Sequence, residues 1–210
     1  MIHIFESDLV NALAFVGLLI PAIVLHEIAH GAVAFNFGDP TARDAGRLTL
    51  NPVPHIDPFG SVLLPALLAF SGAPVFGWAK PVPVMPRYFA NPRKGMAIVG
   101  IAGPLTNLAL AWASGIVLDF VNPTGTVRDL IVVFAVVNVA LAIFNMIPIP
   151  PLDGSRLLPL VLNDNGRRIY AKVEQYGILI LFGFIIISRR AGVSIFGGPI
   201  DFVLYWVVGI

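Results

Sequence analysis

Four long apolar stretches constrain this chain more than any other feature of its sequence. They cover residues 9–37, 96–121, 130–147 and 176–210, and each is near the roughly 20 residues that a helix needs to cross a bilayer. Only 12% of the residues are charged, about half of the ~25% usual in soluble domains, so the chain has too few polar side chains to cover a water-soluble particle. The sequence therefore predicts an all-α integral membrane protein.

The number of crossings depends on two ambiguous regions. Arg189-Arg190 and Gly197-Gly198-Pro199 divide the last apolar stretch into two short pieces, which predicts a helical bundle of about five crossings in total. Residues 59–72 are apolar but short for a crossing and contain Pro65, so we expect a re-entrant or interfacial segment there.

The chain is predicted to form one membrane-embedded domain over residues 1–210. Its core is expected at about 9–160 and its C-terminal membrane segments at about 175–210. The N-terminus lacks the basic region of a secretory signal, so the first apolar stretch is interpreted as a retained membrane helix.

Two polar connections, residues 38–58 and 77–86, carry short extended patterns. Residues 47–50 alternate in polarity, and the second connection reads Gly-Trp-Ala-Lys-Pro-Val-Pro-Val-Met-Pro. Because proline cannot donate to a ladder, such segments suit edge strands. We therefore expect a small extended or β region beside the helices.

Two histidines and a glutamate lie inside the first apolar stretch, in the order His26-Glu27-Ile-Ala-His30. Histidines at i and i+4 share one face of a helix, so both imidazoles can reach a single ion. A glutamate beside the first histidine can accept a proton from the attacking water in zinc-assisted peptide hydrolysis. Ionisable residues within a membrane span are costly, so this group predicts a functional site.

A third metal ligand is expected where the third apolar stretch ends. The sequence there reads Asn145-Met-Ile-Pro-Ile-Pro-Pro-Leu-Asp153-Gly. Its prolines stop the helix and leave irregular backbone, which is tolerated at membrane depth only where it is buried or lines a cavity. Asp153 stands at this break and is a candidate oxygen ligand.

These two motifs, in this order, resemble the site-2 protease family of intramembrane zinc metallopeptidases. The intervening Gly103-Pro-Leu-Thr-Asn107 also resembles the central helix of that family, and the resemblance covers roughly residues 15–160. It implies one Zn²⁺ per chain and hydrolysis of peptide bonds in membrane proteins that have a transmembrane helix. No segment resembles the PDZ-like or nucleotide-sensing domains of larger members.

The resemblance also implies the roles of individual residues. Zinc would be held by His26, His30 and Asp153, with Glu27 as the general base. Asn107 would lie near the active site and bind the substrate backbone or the oxyanion.

His55 and Asp57 lie in a proline-rich polar segment, Asn51-Pro-Val-Pro-His55-Ile-Asp57-Pro. They can gate the site or contact the substrate. Alternatively, the segment is a turn whose side chains bond their own backbone.

His30 and Asp153 can share one ion only if an even number of membrane crossings lies between them. This requirement agrees with the prediction that residues 59–72 do not cross. Ten of the 13 basic residues then share one side, which the positive-inside rule assigns to the cytoplasm. We therefore expect a multi-pass protein of the plasma membrane with its active site nearer the cytoplasmic face. The ten are Arg43, Arg47, Lys80, Arg87, Arg93, Lys94, Arg156, Arg167, Arg168 and Lys172.

Two other functions remain open from sequence alone. One is a non-catalytic zinc-binding scaffold, which would have no need of Glu27. The other is a metal or proton transporter, although no internal repeat of the kind common in transporters is visible. The net charge of +1 gives no indication of a nucleic-acid partner, the absence of cysteine excludes disulfides, and the oligomeric state cannot be inferred.

Overall fold

The computed structural model describes residues 8–71, 77–190 and 197–209. Three long helices form its frame: α1 (Asp8–Asn36), α4 (Pro92–Val121) and α5 (Gly125–Asn145). Each is long and apolar enough to cross a membrane. The chain is a helical membrane protein, as its composition predicts.

Shorter elements connect and follow this frame. Between α1 and α4 lie α2 (Thr41–Asp44), a 3₁₀ turn (Val53–His55), a π-helical turn (Pro58–Leu63), α3 (Leu64–Phe70) and a 3₁₀ turn (Pro86–Tyr88). After α5 follow a 3₁₀ helix (Asp153–Leu157), α6 (Leu158–Val161), α7 (Asp164–Glu174), α8 (Gly177–Arg190) and α9 (Gly197–Val207).

Helix α4 is the central helix, because it packs against α1 and α5 and also against α6, α9 and the 3₁₀ helix that begins at Asp153. Its buried face consists mainly of small residues, which allow the backbones of neighbouring membrane helices to approach closely. These buried residues are Gly95, Ala97, Val99, Gly100, Gly103, Pro104, Asn107, Ala111, Ser114 and Gly115.

The ends of α4 and α5 follow from local sequence signals. Asn91 accepts the N–H of Lys94 as an N-cap, with proline in the first helical position. At the other end, Asn122 adopts φ 45°, the left-handed C-cap conformation that asparagine tolerates. Helix α5 ends at Asn145, before the prolines predicted to stop it.

The segment predicted not to cross the membrane forms short helices in its described part. The apolar helix there covers only Pro58–Leu68, which is too short for a crossing. Residue 72, the end of the predicted segment, lies outside the described residues. Two helices long and apolar enough to cross, α4 and α5, lie between His30 and Asp153 in the sequence.

The predicted count of about five crossings is not reached in the described part of the chain. Three helices qualify, or four if α7 and α8 form one broken span with its 79° bend. Helices α8 and α9 have 14 and 11 residues, and at ~1.5 Å per residue neither alone covers a hydrocarbon core of about 30 Å. Residues 191–196 and 210 of the predicted C-terminal segments lie outside the described residues.

The predicted β region also differs from the structure. Among the described residues no strand is present, and residues 48–50 form bends instead. Residues 78–85 run without helix or strand, because their N–H groups bond to side chains and to loop carbonyls rather than to a second strand.

Candidate metal centre

Three side chains from distant parts of the sequence meet in the buried interior of the bundle. His26 Nε2 lies 3.0 Å from His30 Nε2 and 3.0 Å from Asp153 Oδ2. His30 Nε2 lies 3.1 Å from the same carboxylate oxygen. All three side chains are buried, and in the described ranges they are the group of His, Asp or Glu residues whose ligand atoms are close enough to share one ion.

The fold brings these atoms together beside α4, where Gly103 faces the two histidines and Gly100 faces Asp153. The i, i+4 spacing on α1 brings the two imidazoles together edge to face, with ring centroids 4.6 Å apart. Asp153 is the first residue of the 3₁₀ helix that follows the proline-rich end of α5, and this 3₁₀ helix packs on α4.

The size of this triangle fits a zinc ion. Zn–N and Zn–O bonds of about 2.0–2.1 Å in a tetrahedron place neighbouring ligand atoms roughly 3.3 Å apart. The observed separations of 3.0–3.1 Å are close to this value. Two nitrogens and one oxygen also match the three protein ligands of a catalytic zinc site, which keeps its fourth position for water.

A chain of amide side chains determines which nitrogen of His26 carries the proton. Asn138 Nδ2 donates to the carbonyl of Phe134, so its Oδ1 is the atom that accepts from Asn107 Nδ2 at 2.8 Å. Asn107 Nδ2 also donates to the carbonyl of Ala22, which leaves Asn107 Oδ1 as the acceptor for His26 Nδ1–H at 2.6 Å. The Nε2 atom of His26 is therefore left with its lone pair directed to the centre of the triangle.

His30 is oriented in the same way by the backbone of α4. Its Nδ1–H donates to the carbonyl of Val99 at 2.6 Å, so its Nε2 also presents a lone pair. Two nitrogen lone pairs and a carboxylate oxygen thus converge on one point. Such a donor set repels itself unless a cation lies between its members.

Asp153 is suited to be the anionic ligand. Burial raises the pKa of its carboxyl, while the positive charge of Arg156 lowers it and favours the ionised form. Arg156 Nε is 3.7 Å from Asp153 Oδ1, the oxygen that does not face the histidines. The group is therefore ionised at neutral pH, as a metal ligand must be.

Gly103 leaves the space that the centre requires. A Cβ atom built on this glycine would lie 2.5 Å from His26 Nε2 and 2.5 Å from His30 Nε2. Any side chain here would therefore enter the volume in front of the two ligand nitrogens. The backbone of α4 closes one side of the centre without filling it.

Glu27 lies next to the first histidine on α1 and is half-buried. Its Oε2 accepts a hydrogen bond of 2.9 Å from the backbone N–H of Val82. The carboxylate of the predicted base is thus anchored by a distant connection between α3 and α4.

Asn107 reaches the centre, but its polar atoms are directed into the protein. The side chain is fully buried, with its oxygen on His26 and its nitrogen on Ala22 and Asn138. This geometry favours a residue that acts through His26 over the predicted contact with substrate.

His55 and Asp57 are not members of the ligand group. Asp57 accepts the N–H groups of Phe59 and Gly60 and caps the π-helical turn, as the turn interpretation predicts. His55 is buried and donates from Nε2 to the carbonyl of Thr49 at 3.1 Å.

Sequence reasoning did not select Asn138, Val99 or Val82. Asn138 was accessible to the same argument that selected His26, because it is a polar side chain inside an apolar span. Val99 and Val82 act through backbone atoms, for which a side-chain pattern carries no signal.

The family model described as Peptidase family M50 matches residues 121–188, which contain α5 and Asp153. The candidate zinc metalloprotease YwhC of Bacillus subtilis (strain 168) is 38% identical over 173 residues, which cover 77% of this chain and 75% of YwhC.

Other relatives are also named as zinc metalloproteases. The candidate zinc metalloprotease Rip2 of Mycolicibacterium smegmatis is 32% identical over 184 residues, covering 83% of this chain and 70% of Rip2. The zinc metalloprotease MJ0392 of Methanocaldococcus jannaschii is 26% identical over 194 residues, covering 90% of this chain and 47% of that protein. No solved structure matches the chain.

Proposed function

The chain belongs to peptidase family M50, the site-2 protease family of zinc metalloproteases, and from this premise we propose that it cleaves peptide bonds within the membrane. Its cofactor is Zn²⁺. The proposed substrate is a membrane protein that presents a transmembrane helix, and the proposed base is Glu27.

One observation carries this proposal: three ligand atoms lie 3.0–3.1 Å apart inside a bundle of membrane-length helices. A structural zinc site is usually closed by four protein ligands, whereas three leave a position for water. Glu27 directly follows the ligand His26, as a general base for that water requires. A scaffold would have no use for this base.

The roles of the side chains follow from their contacts. His26, His30 and Asp153 hold one zinc ion, and Asn107 and Asn138 keep His26 Nε2 directed at it. The zinc ion that these residues would hold would supply Lewis acidity for the scissile carbonyl and for the attacking water. Glu27 accepts the proton of the attacking water and returns it to the amine of the leaving strand.

The substrate must lose helical structure before it can react, since the carbonyls of a membrane helix are already hydrogen-bonded along the helix. The unwound segment needs new partners. We place these partners at residues 47–50, where Leu50 is 72% exposed, and note that the Arg47 N–H and the Thr49 carbonyl already bond to Ala42 and His55. This contact is part of the proposal.

We further propose that the site lies nearer the cytoplasmic face of the plasma membrane. The parity of the long helices between His30 and Asp153 supports a common side for both ligands. The connections on that side carry most of the basic residues, which supports a cytoplasmic position for them.

The test uses two model substrates reconstituted with the protein in liposomes. Each is a single-span helix of about 20 apolar residues, one with a central Gly-Gly pair and one with Leu-Leu in its place. We expect cleavage near the Gly-Gly pair by mass spectrometry, slower cleavage of the Leu-Leu peptide, and no cleavage by Glu27→Gln.

Glu174→Gln is the matched control, because Glu174 is an exposed glutamate on α7. It should cleave as the wild type does. Cleavage confined to residues outside the bilayer would refute the intramembrane site, and full activity of Glu27→Gln would refute the assignment of the base.

A further inference from the structure

We propose that the backbone N–H of Val82 is the group that orients Glu27 for proton transfer, which makes Val82 a positioning residue of the peptidase. This inference rests on the proposed role of Glu27 as the base. It concerns a contact across 55 positions of sequence, from α1 to the connection that precedes α4.

The contact is a charge-assisted hydrogen bond. Val82 N–H donates to Glu27 Oε2 at 2.9 Å, in a partly buried position. A glutamate side chain otherwise samples many rotamers, and a base is effective only in a narrow range of distances and directions. Holding one carboxylate oxygen restricts the rotation of the group and leaves the other oxygen for the proton transfer.

The donor is itself held firmly. Residues 78–85 are here called the strap. Upstream of Val82, Lys80 N–H donates to the carbonyl of His55 at 2.9 Å, and Arg47 donates to the carbonyl of Lys80. Downstream, Met85 N–H donates to Asp39 Oδ2 at 2.6 Å. Val82 is therefore fixed between anchors on both sides.

The sequence of the strap makes this donor specific. Pro81 and Pro83 flank Val82 and have no N–H groups, so Val82 supplies the donor of this tripeptide. Both prolines also fix their own φ angles and restrict the residues before them to extended conformations. The valine side chain is buried against α1, where its Cγ1 lies beside Gly31.

The same contacts give a role to the polar segment around His55 and Asp57. The carbonyl of His55 anchors Lys80, two residues before Val82. Asp57 caps the turn that contains Ser61, whose hydroxyl donates to the carbonyl of Trp78 at 2.7 Å. This segment thus supports the strap that orients the base.

The experiment removes a single N–H group. Valine at position 82 is replaced by its α-hydroxy acid, which converts the amide to an ester, and the same replacement at Val84 is the matched control. Val84 lies in the same strap and follows a proline in the same way, and its N–H is not the donor to Glu27. Val82→Pro is a second variant that lacks the same donor.

We expect the ester at position 82 and Val82→Pro to lower kcat about tenfold or more, as for loss of a hydrogen bond to a charged group, with KM and zinc content unchanged. The probe is the Gly-Gly helix in liposomes. The ester at position 84 should keep the wild-type kcat. In zinc-free protein labelled with ¹⁵N-valine, the Val82 amide resonance should shift in Glu27→Ala and stay in place in Glu174→Ala.

A wild-type kcat with the ester at position 82 would overturn the inference, and so would a loss that appears in KM or zinc content instead of kcat. An unchanged Val82 amide resonance in Glu27→Ala would also overturn the inference. If Glu27→Gln is inactive while the position 82 ester is fully active, only this inference fails. If Glu27→Gln is itself active, the proposed function fails.

Discussion

Gly103 provides a direct test of the space in front of the ligand nitrogens. In Gly103→Ala, the new methyl carbon would lie 2.5 Å from His26 Nε2 and from His30 Nε2, whereas ordinary contact begins at 3.4 Å. Each histidine ring would have to retreat by about 0.9 Å, or α4 would have to move away from α1, at a cost of roughly 1–3 kcal/mol for overpacking.

A displacement of this size is large for a metal site. Metal–ligand distances are maintained within about 0.2 Å, and changes outside the ligands alone already reduce affinity 10- to 100-fold. Because the added methyl group disturbs two ligands at once and occupies part of the ion's own volume, we expect zinc affinity to fall by at least about a hundredfold. Proteolysis should be lost with it.

Zinc affinity is measured by competition with a chromophoric chelator in detergent, and the helical content by circular dichroism. Gly183→Ala is the control, since this glycine of α8 has no neighbour within 4 Å of an added Cβ. It should leave zinc affinity unchanged. If Gly103→Ala retains the helical content and binds zinc as tightly as the wild type, the proposed location of the metal is wrong.

Two further predictions concern the groups behind the ligands and the strap. Asn138→Leu removes the acceptor for Asn107 Nδ2 and should lower zinc affinity about tenfold, while Ser114→Ala, which loses a bond within its own helix, should not; chelator competition measures both. Asp39 is buried, and although burial raises its pKa, the N–H of Met85 and the contacts of Thr41 lower it further, so the net pKa in the folded protein is below the ordinary 3.8. A depressed pKa contributes stability that is complete above pH ~3.8 and is lost as the pH falls through the folded value. The thermal unfolding midpoint of zinc-free wild type should therefore decrease below that pH, and Asp39→Asn should lack this part of the decrease; equal acid sensitivity of the two proteins would contradict the assignment.

The long helices and the shared face of the two histidines were predictable because each depends on local sequence. Apolar stretches of membrane length predict α1, α4 and α5, and the i, i+4 histidines predict a shared face of α1. The position of Asp153 after a proline-terminated helix, together with an even number of crossings, predicts that it can meet them.

The parts that sequence reasoning missed depend on contacts between distant residues. A strand was expected near residues 47–50 and 78–85, but the donors of the second segment reach Glu27, Asp39 and a loop carbonyl instead. Asn107 was expected near the active site, where its oxygen bonds to His26, and only the fold shows Ala22 and Asn138 as its other partners. No spacing rule connects these residues.

The C-terminal region illustrates a different difficulty. Its apolar composition left open one crossing or two, because composition does not determine where helices break. Helix α8 meets α7 at 79°, and α9 has 11 residues, so length and angle, rather than hydropathy, decide what these segments can span.

The zinc content of the purified protein tests the central claim most directly. It is measured by elemental analysis in detergent for the wild type, His26→Ala, Asp153→Ala and Glu27→Gln, with circular dichroism to confirm that each is folded. Our account predicts one zinc per chain in the wild type and in Glu27→Gln, and none in His26→Ala and Asp153→Ala. Zinc that survives both ligand substitutions, or its absence from metal-replete wild type, would contradict it.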